Sequence, residues 1–204
     1  MKYILNIRGT NGSGKSTIPM SMMDDPEMFV ITKPYQGKPT KIATVFPSYG
    51  WIALGTYFNK TGGLDRFKNN EITQKAFWYV LKKYPDYNLL MEGIISSTIF
   101  STYFELFNKA EKKYPNRKTV ILWLNPDVEI CLERIQQRNG GKPIKEDLVR
   151  NKANMILRAC KKFKEAGIEV IRWNNSESKL PIKAKRYEEI QKLMEHAMDF
   201  VLPF

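Results

Sequence analysis

Residues 9–16 read GTNGSGKS and are entered directly from the mostly apolar run KYILNI at residues 2–7. An apolar run that ends in closely spaced glycines reads as a buried strand of a parallel sheet turning tightly into a loop. Gly12 and Gly14 allow the backbone to curl so that several N–H groups face one centre. The helix expected from Lys15 onward adds the partial positive charge of its N-terminus to the same spot. With Lys15 and Ser16 in place the stretch fits G-x-x-x-x-G-K-[ST] in full, and it stands between a strand and a helix, where that pattern must stand to hold phosphates. The expected ligand is ATP or a close relative with Mg²⁺. Gly9, Thr10, Asn11, Gly12, Ser13 and Gly14 form the cradle, the Lys15 ammonium reaches the β and γ phosphates, the Ser16 hydroxyl faces Mg²⁺, and Thr17 lies near the α phosphate. A dinucleotide fingerprint is disfavoured, because Thr17 stands where a third glycine would be wanted.

The remainder alternates short apolar runs with helical patterns. Residues 30–33, 88–91, 119–124 and 168–173 read as strands, and residues 15–23, 70–83, 96–113, 126–139, 145–166 and 183–201 read as helices. Pro19 falls in the second turn of the first helix, where it removes a hydrogen bond and kinks or shortens it. Ile72, Ala76, Phe77, Val80 and Leu81 share one helix face, and Val128, Cys131, Leu132 and Ile135 share another, with Asn125 or the turn around it as the cap. Gly140-Gly141-Lys142-Pro143 ends that helix, and Gly167 ends the next. The order predicts an α/β domain with a central, mostly parallel sheet and helices on both faces, three layers in all, binding its ligand at the C-terminal ends of the strands. Residues 34–63 are rich in Gly, Pro, Thr and aromatics, with a strand-like alternation at 41–46. They are too long for an ordinary connection and read as an insertion over the sheet's edge or over the site. Residues 1–204 read as a single domain.

Net charge is +12 with a sequence pI near 9.6, and residues 117–164 carry 12 basic against 5 acidic side chains. Such a balance suits a nucleic acid acceptor, and it also suits a small anionic nucleotide. Cys131 and Cys160 lie in helical patterns without metal-ligand spacing, and one histidine excludes a His-based metal centre. No apolar run reaches about 18 residues, so no membrane span is expected. The N-terminal run is too short for a secretory signal, which gives a cytoplasmic expectation. No pattern in the sequence argues for self-association.

The glycine loop alone leaves kinase, ATPase, GTPase and motor open. Both N-K dipeptides, at Asn59 and Asn151, lack the aspartate of a guanine-reading N-K-x-D, and the chain is short for a large ATPase machine. A small kinase is the leading class. Glu92 ends the strand LLMEG, where a carboxylate can hold Mg²⁺ through water or take a proton from an attacking hydroxyl. Asp65, in GGLDR, is the second candidate for that proton or a turn cap, and Arg66 beside it could contact an acceptor phosphate. Arg134 and Arg138 lie one turn apart before the glycines, and residues 134–150 read as a lid presenting cations to the phosphates, with Lys142, Lys145 and Arg150 as weaker members. Tyr49, Trp51, Tyr57 and Phe58, with Lys41 and Lys60, could stack bases or simply pack the insertion onto the sheet.

The loop, the strand-end Glu92 and the Arg134/Arg138 segment together resemble the P-loop kinases of nucleosides, nucleotides and polynucleotide ends. That resemblance implies the P-loop kinase fold, a carboxylate at Glu92 acting on the acceptor hydroxyl, and lid arginines at Arg134 and Arg138. RGTNGSGKST, GGLDRF and LMEGIISST, with the basic and aromatic stretch between them, are also similar to the bacteriophage kinases of thymine hypermodification. Those enzymes phosphorylate 5-hydroxymethyluracil within DNA so that the phosphate can later leave. The resemblance implies a DNA acceptor and ATP as donor. The sequence departs from ordinary nucleoside monophosphate kinases in lacking an R-x-x-x-x-G pocket and in carrying Ile94-Ile95-Ser96-Ser97 after Glu92-Gly93, rather than a D-R or E-R-S pair. A free-nucleotide kinase, a polynucleotide end kinase and an ATP-switched nucleic-acid-binding module stay open as alternatives.

Overall fold

The computed structural model describes residues 1–58 and 62–176. Lys60 and the expected terminal helix at 183–201 lie outside the described residues. In chain order the elements are β1 (Lys2–Arg8), α1 (Thr17–Met20), β2 (Phe29–Tyr35), β3 (Lys38–Phe46), β4 (Trp51–Leu54), α2 (Asn70–Lys83), β5 (Asn88–Glu92), α3 (Ile94–Thr98), α4 (Ser101–Lys113), β6 (Arg117–Leu124), α5 (Val128–Arg138), α6 (Glu146–Glu165) and β7 (Glu169–Trp173). One seven-stranded sheet runs β2-β3-β4-β5-β1-β6-β7. Every neighbouring pair from β4 to β7 is parallel, and β3 alone opposes both of its neighbours.

The strand that feeds the glycine loop is therefore central. Ile7 of β1 pairs with Glu92 at the end of β5 on one side and with Leu122 of β6 on the other. This register sets the last residue of β5 beside the entrance to the loop. Alternate residues of β1 serve opposite layers. Ile4 packs with Met91, Phe77, Phe107 and Phe163, whereas Leu5 and Ile7 pack with Ile18, Leu90 and Leu122. Two buried clusters on opposite faces, drawn from α2, α4 and α6 on one side and α1 on the other, make the expected three layers.

Three helical segments differ from their expected bounds. The first is a single turn, Thr17–Met20, followed by turns. Pro19 has no N–H to continue the ladder, which shortens the helix as its position predicts. The segment expected at 96–113 is two helices broken at Ile99 and Phe100. α5 starts at Val128 with Asp127 as its cap residue, and no side chain accepts a capping bond there. The Asp127 N–H instead donates to Ser176 Oγ at 2.8 Å. Asn125 is thus two residues too early to be the cap.

Among the described residues of 34–63, the end of β2 with β3 and β4 adds strands to one side of the sheet, and Gly63 lies against Glu92. β2 and β3 form a hairpin through Gln36 and Gly37, both at positive φ, as a tight two-residue turn requires. β4 then returns to the main sheet, with Ile52 beside Leu89. All four residues of WIAL are buried. Their lack of alternation is what burial on both faces produces, and it hides a strand from a search for period two.

Candidate active site

The glycine loop is held from three sides. Gly12 (φ 76°) and Gly14 (φ 91°) take conformations that favour glycine. Gly12 also lies so close to the backbone of Cys131 in α5 that a Cβ would collide with its carbonyl. The Thr10 hydroxyl donates to Val149 O of α6 at 3.1 Å, and the Asn175 amide donates to Ser13 O at 2.9 Å. Lys152 Nζ meets Asn11 Oδ1 at 3.4 Å. Lys15 is 7% exposed, and its ammonium donates to Thr10 O at 3.0 Å, folded back over the loop that it serves. Burial pulls its pKa down, while the charge of Glu92 and then that of Asp65 pull it back up.

Glu92 meets this loop directly. The Ser16 hydroxyl donates to Glu92 Oε1 at 3.1 Å. The carboxyl is 1% exposed, and burial pushes its pKa up to about 7. Lys15 opposes that rise, Asp65 adds to it, and the Ser16 hydrogen bond opposes it. Asp65 sits on the short 3-10 turn Gly63–Arg66 and is exposed. Both of its carboxylate oxygens lie 3.0 Å from the Ile94 N–H, at the start of α3. Two glycines permit this crowding. A Cβ on Gly63 (φ 62°) would strike the Glu92 carboxylate, and one on Gly93 would lie 3.1 Å from Asp65 Oδ1. Tyr57 is buried beside them, and burial first, then the charges of Glu92 and Asp65, raise its pKa.

The arginines divide. Arg134 donates to Asn175 O at 2.8 Å, and more distantly to Ser176 O at 3.4 Å and Gly12 O at 3.5 Å. It clasps carbonyls of the segment after β7 and of the loop itself. Arg138, the last residue of α5, is exposed, and Gly140 and Gly141 follow it at positive φ in open surroundings. Arg150 pairs with Glu129 and Glu146. Among the four aromatics, Trp51 and Tyr57 are core residues, Tyr49 donates to Asp24, and Phe58 is exposed.

Two residues of the site carry no motif in the sequence. Asn175 is buried and donates to the loop, yet it follows a strand in an unremarked N-N pair. Arg8 looks like one more cation of a basic chain but is fully buried. Its guanidinium lies over the Phe163 ring at 4.3 Å and donates to Ser97 O at 2.9 Å and Ile99 O at 3.0 Å, which ties α3 to the strand that feeds the loop. Burial lowers its pKa to about 10. An arginine ending an otherwise apolar strand directly before the glycines was the available clue.

A glycine loop of the pattern G-x-x-x-x-G-K-[ST] between the central strand and a helix, with a buried carboxylate on the neighbouring parallel strand, places the chain in the P-loop α/β class, with the fold of the P-loop kinases. The solved structure of a fungal RNA kinase shares this fold, with a TM-score of 0.55 over 100% of this chain and 89% of that chain at 13% identity. Residues 2–171 match the family model described as 5-hmdU DNA kinase, and the chain belongs to that family. The 5-hmdU DNA kinase of Bacillus phage SP10 is 47% identical over 183 residues, which are 88% of this chain and 28% of that protein. The 5-hmdU DNA kinase 1 of Salmonella phage ViI is 37% identical over 148 residues, 70% of this chain and 62% of that one. The 5-hmdU DNA kinase of Pseudomonas phage M6 is 37% identical over 187 residues, 86% and 94% of the two chains. The chain thus spans less than two thirds of the first two relatives and nearly all of the third.

Proposed function

We propose that this chain is an ATP- and Mg²⁺-dependent kinase that transfers the γ-phosphoryl group to the hydroxymethyl oxygen of 5-hydroxymethyluracil in DNA. The observation that carries the reading is the Ser16–Glu92 contact, which joins the phosphate loop to a buried carboxylate beside a second, exposed one. Family membership supports the acceptor.

Exposure divides the work between the two acids. Glu92, closed off beneath the loop and bonded to Ser16, belongs with the donor. Hard oxygen donors of this kind suit Mg²⁺, and Ser16 and Glu92, directly or through water, would hold it. When bound, Mg²⁺ neutralises charge on the β and γ oxygens. Asp65, exposed at the rim and fixed by the Ile94 N–H, is where an acceptor arriving from solvent meets a base. The hydroxymethyl oxygen attacks the γ phosphorus, the bond to the β-γ bridging oxygen breaks, ADP leaves, and the acceptor proton passes to Asp65. Lys15 and the loop N–H groups hold the phosphate charge throughout. Arg138, on a segment that ends in open glycines, closes over the phosphates as part of a lid at 134–150.

Labelled ATP with Mg²⁺ is supplied with hydroxymethyluracil DNA, plain DNA and free hydroxymethyl-dUMP, and the label is located. Label on the modified base in DNA is the expected result. Label only on the free nucleotide sinks the DNA acceptor, label on plain DNA ends points to an end kinase, and no label removes the kinase reading. Asp65→Asn keeps an oxygen that can accept from Ile94. It should lower kcat by about 10²–10⁴-fold with ATP binding intact, and full activity would move the base elsewhere.

A further inference from the structure

Resting on the DNA-acceptor reading above, we propose that one stripe of α6 is the track on which duplex DNA lies, and that Ile95 is the wedge that enters the stack when the target base leaves it. Leu148, Lys152, Met155, Arg158 and Lys162 recur at i, i+4, i+7, i+10 and i+14, which is one face of a helix. This face flanks the buried stripe of Val149, Ile156, Cys160 and Phe163, with buried Ala159 at the boundary between them. None of its five residues is acidic. Leu148 is 54% exposed and Met155 49% exposed, so it mixes cations with apolar surface left in water.

The structure fixes two points of the stripe relative to the site. Lys152 touches Asn11 of the phosphate loop at 3.4 Å. Lys162 lies 6.0 Å from the Phe100 ring, just past α3. The track therefore runs from the phosphate loop to the α3–α4 corner. Fourteen residues of helix span about 21 Å, the length of roughly six base pairs. Charge complementarity selects the occupant, since cations at intervals along a helix match the phosphates of a backbone.

Ile95 supplies what a backbone track lacks. It is 67% exposed, the most exposed large apolar side chain after Met1 among the described residues. It lies three residues beyond Glu92 on α3, whose first N–H is held by Asp65. A base turned out of the duplex would bring its hydroxymethyl group from the major groove to these acids, and the step it vacates is open to an apolar wedge.

The test uses the whole chain with a 20-base-pair duplex and a matching single strand, each carrying one hydroxymethyluracil. Anisotropy titrations over a range of salt give affinity and slope. The Arg158→Glu/Lys162→Glu variant should bind duplex at least about 10-fold more weakly, with the salt slope reduced by about 2, while ATP binding is unchanged. Unaltered affinity and slope would overturn the track. Ile95→Ala should lower transfer to duplex by about 10-fold and leave transfer to the single strand unchanged, because the unpaired base needs no extrusion. Equal transfer by Ile95→Ala and wild type on duplex, or equal losses on both substrates, would overturn the wedge. If wild type binds duplex but transfers nothing, the kinase reading fails and the track is still decided by the charge-reversal variant. If wild type neither binds nor modifies duplex, the DNA reading falls and the track with it.

Discussion

The Ser16 hydroxyl donates to Glu92 Oε1 across 3.1 Å, joining the glycine loop at the end of β1 to the last residue of β5. The parallel register that pairs Ile7 with Glu92 makes this contact possible. A buried carboxyl whose pKa lies at about 7 is substantially protonated at pH 6 and ionised at pH 8. If Glu92 helps to hold Mg²⁺, the apparent affinity for Mg²⁺ in the presence of ATP rises with pH through the neutral range. Titrations at pH 6 and pH 8 should differ by several-fold in wild type and much less in Glu92→Gln. An equal pH response in the variant would remove Glu92 from the metal.

The same carboxyl has an opposite effect on stability. Between pH 4.5 and about 7 the folded protein keeps a proton that the unfolded chain has lost. The stabilisation from this group is therefore complete below pH 4.5 and is lost as pH rises through 7. Moving a carboxyl from 4.5 to about 7 corresponds to on the order of 3 kcal/mol. Glu92→Gln stays neutral and retains an oxygen for Ser16. Urea unfolding should show it more stable than wild type at pH 8 by up to that order, with the difference closing toward pH 4.5. A variant that is less stable at pH 8 would contradict the burial argument.

Gly63 faces the Glu92 carboxylate without room for a Cβ and holds φ at 62°. Gly63→Ala imposes backbone strain of about 1–3 kcal/mol and displaces the carboxylate. Transfer should fall by at least about 10-fold, from the cost of a misplaced group. Nucleotide binding measured without Mg²⁺ should stay near wild type, because the phosphate loop itself is untouched. Wild-type transfer by this variant would show that the tight fit at Glu92 is unnecessary.

What could be read from the sequence follows from how local each cause is. The glycine loop is local, since strand, glycines, lysine and serine are contiguous. Helix α2 is legible because its one-sided spacing matches its buried face. β4 is concealed because burial on both faces erases alternation, so the sequence reads this sheet strand as part of an insertion. Glu92 is marked as a candidate by its place at a strand end. Its partnership with Ser16 and its raised pKa depend on β5 lying beside β1, which no local pattern states. Asn175 and Arg8 were missed for the same reason, as their partners are 162 and 89 residues away. Arg134 shows the limit of helix-face spacing. Its spacing from Arg138 marks one helix face, yet the fold turns it to the carbonyls of Asn175 and Gly12.

The two arginines should therefore respond differently to removal. Arg138 is exposed at the end of α5, beside glycines in open surroundings. If it closes on the transferring phosphate, Arg138→Ala lowers kcat by about 10²-fold, with unfolding free energy within about 0.5 kcal/mol of wild type. Arg134→Ala removes charged donors from carbonyls that hold the loop, including the 2.8 Å bond to Asn175 O. Its expected cost is about 1.5–3 kcal/mol of stability, and ATP affinity falls with it as the loop loosens. Steady-state kinetics paired with urea unfolding of both variants separates the roles. A kcat loss at Arg134 with stability unchanged would move Arg134 from the clasp to the phosphates. Unchanged kcat at Arg138 would remove it from the lid.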